Sequence, residues 1–110
     1  MDIKQIAFDI AFKEKRSPLP YEKLTNEQLV DKIKKLIPKA DSKECLNAIT
    51  KVRQLCNDVY DICNAYRDGK FGKSPSASKT AISELSKKDP GFSTSEYNTA
   101  FTTGLLWTAF

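Results

Sequence analysis

The sequence contains no histidine, too few cysteines for a disulfide framework, and no apolar run long enough to cross a bilayer. Lack of histidine removes the commonest general base near neutral pH and the usual activator of a serine or cysteine nucleophile. A transmembrane helix needs about 20 predominantly apolar residues, and the longest candidate, Gly104 to Phe110, is far shorter. No membrane partner is expected. Residues Met1-Asp2-Ile3-Lys4-Gln5 lack the basic start and uninterrupted apolar stretch of a secretory leader. The expected location is the cytoplasm, where an odd set of three cysteines stays reduced. Period-two alternation between turn residues is missing too, which argues against strands.

What is present has the balance of an ordinary folded domain, with 40% hydrophobic and 29% charged residues over a length suited to one core. The excess of 18 basic over 14 acidic side chains is spread along the chain. It permits an acidic partner without demanding one.

Helical periodicity organises almost everything. Ile3, Ile6, Ala7 and Ile10 share one face of a first helix expected over Asp2–Lys15, closed by Pro18 and Pro20. Phe8 and Phe12 widen its apolar arc, so this helix is either central or offers a second face to a partner. Thr25-Asn26-Glu27-Gln28 is a capping box opening a second helix. That helix carries a stripe of Leu29, Val30, Ile33, Leu36 and Ile37, stopped by Pro38.

The third helix begins near Asp41-Ser42-Lys43-Glu44, which also has capping-box spacing, and ends at Asp68-Gly69. Its heptad-like seam is Cys45, Ile49, Val52, Cys56, Val59, Cys63 and Tyr66. A Gly/Ser/Pro-rich loop at about 68–79 follows, then a short helix over Thr80–Ser86. Ser93-Thr94-Ser95-Glu96 caps a last helix bearing Tyr97, Phe101, Gly104, Leu105, Leu106, Thr108 and Phe110, apolar round so much of its surface that it should be largely covered. The expected fold is all-α: a small bundle of four to five helices round one long central helix, in a single domain spanning residues 1–110.

Candidate chemistry meets specific obstacles. Cys45, Cys56 and Cys63 are 11 and 7 residues apart, so they stack along one helix face. Their sulfurs would be about 10 Å or more apart, against the ~2.3 Å of a zinc–sulfur bond. They read as core residues, and no metal or cofactor is expected. Asp58 and Asp61 fall on the polar side of the third helix and read as solvated carboxylates. Gly72-Lys73-Ser74 resembles the end of a phosphate-binding loop, but Arg67 stands where its first glycine belongs.

Surfaces remain. Lys32, Lys35 and Lys39 fall opposite the stripe of the second helix. Lys70, Phe71 and Lys73, with Lys79, make a basic loop with one aromatic anchor. Trp107 and Phe110 are either core or exposed anchors. By elimination, the expected function is non-enzymatic: a helical surface presented to a protein partner, as in inhibitors, immunity-type proteins and adaptors. The alternative is a nucleic-acid-associated regulator using the lysines of the second helix and the loop. Self-association through the first or last helix is a third possibility.

Overall fold

A computed structural model describes residues 2–12 and 25–109, and every regular element among them is helical. These are α1 (Ile3–Ala7) continued by a π-helical turn (Phe8–Phe12), α2 (Asn26–Leu36), α3 (Ser42–Arg67), α4 (Ala77–Lys88) and α5 (Thr94–Trp107). The fold is all-α, built on the 26-residue α3. Among the described residues no helix is long and apolar enough to cross a membrane. Contacts group the chain into two compact units, Met1–Arg53 and Gln54–Phe110, and α3 supplies residues to both.

In the first unit, α1 is capped by Asp2, whose carboxylate accepts from the Gln5 amide at 2.7 Å. Its α-helical part is shorter than the sequence pattern suggested. At Phe8 the backbone widens into a π turn, and Lys13–Lys15 lie outside the described residues. Phe8 and Phe12 are both buried, with rings stacked 4.9 Å apart, so the wide apolar arc of this helix is covered.

Helix α1 packs on α2, whose capping box forms as expected: Gln28 N–H donates to Thr25 Oγ1 at 3.1 Å, and Thr25 N–H to Gln28 Oε1 at 2.8 Å. Leu29 and Ile33, four apart on one face, are fully buried. Each contributes roughly 1.5–3 kcal/mol relative to exposure. At the entry of α3 the Lys43 amide donates to Asp41 Oδ1 at 3.4 Å, a local turn rather than the expected three-residue box.

The seam of α3 is buried from Cys45 to Cys63, with Tyr66 half-buried. A second row, Ala48, Leu55 and Ile62 at seven-residue spacing, is buried beside it. The helix ends in a Schellman motif: Lys70 N–H bonds to Ala65 O and Gly69 N–H to Tyr66 O. Gly69 makes this possible with φ of +80°, a conformation that costs a Cβ-bearing residue dearly.

In the second unit, the connection after α3 is shorter than expected, because Ala77, Ser78 and Lys79 already belong to α4, which extends to Lys88. Helix α4 packs on α5. Ser93 and Glu96 form the second complete capping box, at 3.1 and 2.8 Å. Helix α5 lies close on α3. Cys63 Sγ–H donates to Phe101 O at 3.4 Å, the Tyr66 and Phe101 rings meet edge to face at 5.3 Å, and a Cβ on Gly104 would stand 2.6 Å from Cys63 Sγ. Arg67 closes the far end by donating to Leu105 O and Thr108 Oγ1. Coverage of α5 is less complete than its apolar circumference suggested, since Leu106 faces solvent.

Candidate functional site

The cysteines are what their spacing implied. All three are buried. Burial pushes the Cys63 thiol up to about 11, against the lowering effect of Arg67, and raises that of Cys45. Neither carries appreciable thiolate near neutral pH.

The site residues expected from sequence divide between the two units. Lys70 and Lys73 are exposed in the turn after α3, with Phe71 half-buried between them. Trp107, the last residue of α5, is half-buried, and Phe110 lies outside the described residues. All of these belong to the second unit. Lys32, Lys35 and Lys39 are exposed in the first. Lys39 is not on α2, however, because Pro38 cannot continue the helix and the backbone turns at Ile37 (φ −128°, ψ 84°).

Around those three lysines the first unit builds a surface that the pattern did not disclose. Helices α2 and α3 form a hairpin held at both ends. Arg53 Nε donates to Asn26 Oδ1 at 3.0 Å, and the Lys34 ammonium reaches Ser42 Oγ across the short 37–41 connection. At that connected end two large apolar side chains stand in water: Leu36 is 57% and Leu46 42% exposed. Leu36 continues the α2 stripe one turn past Ile33, beyond its covered part. Leu46 lies beside the α3 seam rather than on it.

Lysines frame both leucines. Lys32 is four residues before Leu36 and Lys43 three before Leu46, so each pair shares a helix face. Lys35 and Lys39, close to Leu36 along the chain, are exposed as well. The charge is concentrated here: Met1–Arg53 carries 12 basic and 8 acidic residues, whereas Gln54–Phe110 carries six of each. Residues 32–53 hold seven basic side chains against Asp41 and Glu44, with Asp31 just before them, four residues from Lys35 and able to pair with it. The arrangement offers two aliphatic anchors in a positive field, and no nucleophile or base.

The second unit holds a feature that corrects the sequence reading of Asp58. That residue is not a solvated carboxylate; its side chain is only 14% exposed and pairs with the Lys88 ammonium at 3.6 Å. Its carboxyl group lies near that of Asp89, which is 6% exposed. Burial first, then the hydrogen bond and negative charge of Asp58, push Asp89 up to about 7, opposed by Lys88. Asp61, one turn on, is exposed as expected. Only a contact between residues 31 positions apart reveals this pair.

Compared with family models, with curated proteins and with solved structures, the chain has no match.

Proposed function

We propose that this chain is a non-enzymatic protein-binding module whose α2–α3 hairpin docks an acidic, leucine-bearing helical segment of a protein partner. The observation that carries this reading is the exposure of Leu36 and Leu46 at the connected end of the hairpin, where Lys32, Lys35, Lys39 and Lys43 are exposed too. Aliphatic side chains at the centre of a small patch supply anchoring energy, and surrounding charges of one sign select and steer a partner of the other. An inhibitor, immunity-type or adaptor role is served by such a surface. The patch favours protein over nucleic acid, because its exposed centre is aliphatic and lacks the aromatic platforms on which bases stack.

The test uses a synthetic amphipathic helix of alternating Glu and Leu faces, titrated into the isotope-labelled full chain. Amide shifts should concentrate at residues 32–46. Leu36→Ser with Leu46→Ser should weaken binding by about tenfold or more, the equivalent of ~1.4 kcal/mol. An oligonucleotide duplex run in parallel should bind more weakly, with the steep salt dependence of phosphate contacts. Shifts confined elsewhere, undiminished peptide binding by the double variant, tighter binding of the duplex, or dimerisation through this patch in light scattering would each overturn the reading.

A further inference from the structure

Asp89 occupies a junction of three helices in the second unit. Its amide caps α4 by donating to Leu85 O at 2.9 Å, and its carbonyl accepts the Tyr97 hydroxyl of α5 at 2.6 Å. That hydroxyl in turn accepts from the Phe92 amide at 3.2 Å. Its side chain meets Asp58 of α3. The backbone of Asp89 therefore ties α4 to α5, and its carboxyl group ties both to α3.

Two carboxylates cannot hydrogen-bond to each other, since both only accept; one must hold a proton. The surroundings make that proton necessary. Asp58 Oδ2 and Asp89 Oδ2 are both buried with no donor from another residue in reach, and so is Glu96 Oε2 of α5. The titratable groups that the three elements bring around the pair are Asp58 and, one turn on, the exposed Asp61 of α3; Lys88 of α4, with the exposed Glu84–Lys87 pair; and Glu96 and Tyr97 of α5. Lys88 is the cation that reaches the pair, and its own side chain is 54% exposed. One solvated ammonium cannot neutralise two buried carboxylates side by side.

We infer that Asp58 and Asp89 form a proton-operated latch: one shared proton clamps the α4–α5 turn to α3, and its loss releases that turn. The latch is closed on the acid side. Asp89 ionises at about 7 in the fold and near 3.8 when unconstrained. The folded state thus holds a proton that the unfolded chain has given up, and stability falls as pH rises through that window before levelling off above it. Ionisation of the folded protein, and with it local release of the turn, follows as pH passes about 7. This inference is independent of the surface on the α2–α3 hairpin.

The experiment is a carboxyl-carbon NMR titration of the full chain, with amide hydrogen exchange across residues 85–97 corrected for intrinsic rates. The Asp89 resonance should titrate with a midpoint near 7, and Asp58→Asn should move that midpoint down by about one unit or more. Exchange protection of the turn should drop about tenfold between mildly acidic and mildly alkaline buffer. Asp89→Asn, which keeps shape and cannot ionise, should abolish the pH dependence of that protection. A midpoint below about 5, protection constant across the range, or full pH dependence retained in Asp89→Asn would each overturn the latch. Should Asp89→Asn fail to fold, the wild-type titration and Asp58→Asn decide the matter.

Discussion

Replacing Gly104 by alanine pits two opposite effects against each other at one atom. In the middle of a helix, alanine is favoured over glycine by about 1 kcal/mol. The added Cβ, however, would stand 2.6 Å from Cys63 Sγ and 3.4 Å from both methyl groups of Val59. The Val59 contacts are ordinary. The sulfur contact is about 1 Å inside the ~3.5–4 Å optimum, and Cys63 has little freedom to yield. It is fully buried, and rotating its one side-chain torsion would break its bond to Phe101 O. Overpacking of this kind costs about 1–3 kcal/mol, so Gly104→Ala should destabilise the second unit by up to about 2 kcal/mol net. In a Cys63→Ala background the offending atom is gone. There the same substitution should be neutral or stabilising by up to about 1 kcal/mol, giving a coupling of about 2 kcal/mol. Urea denaturation followed by the fluorescence of Trp107, the chain's one tryptophan, reads the second unit directly. Gly104→Ala that stabilises the wild-type background, or costs that add within about 0.5 kcal/mol across the double-mutant cycle, would refute the reasoning.

Other expected outcomes follow from the same contacts. Thr25→Ala and Ser93→Ala each remove the side-chain acceptor of a capping box and keep the backbone amide that donates the reciprocal bond; each should cost about 1 kcal/mol in thermal or urea unfolding, and a loss below a few tenths would show the cap to be idle. The thiols of Cys45, Cys56 and Cys63 should resist a disulfide reagent at mildly alkaline pH in the native protein and react together once urea is added; any thiol reacting natively at the rate of a free cysteine would contradict its burial.

Much of the fold was legible because its signals are local. A capping box is complete within four residues, so Thr25-Asn26-Glu27-Gln28 and Ser93-Thr94-Ser95-Glu96 announce helix starts that the structure contains. The α3 seam and the Gly69 terminator are similarly self-contained. The start of α4 was not legible, because Ser76 makes no side-chain cap bond and the turn before it is rich in residues that favour loops. Nor does any period forecast the π turn at Phe8, where the apolar pattern of α1 runs on unbroken.

The surface was less legible than the core. Leu36 follows Ile33 at helical spacing on the stripe that begins at Leu29, and nothing in that spacing says that the covering ends before it. Asp58 carries the polar character of an outer face; what covers it is the end of α4 with Lys88, 30 residues further along the chain, which no local period can show. Leu36 was assigned to the apolar stripe and Leu46 passed over, and both stand exposed.

The boundary between the two compact units falls between Arg53 and Gln54, in the interior of α3 rather than in a linker. Severing the chain there would strand four carbonyl groups on one fragment and four amides on the other, in the middle of a helix about 39 Å long, with no capping side chain placed to receive them. Neither half can therefore be inherited, swapped or expressed as a free-standing piece without a new helix end being invented for it.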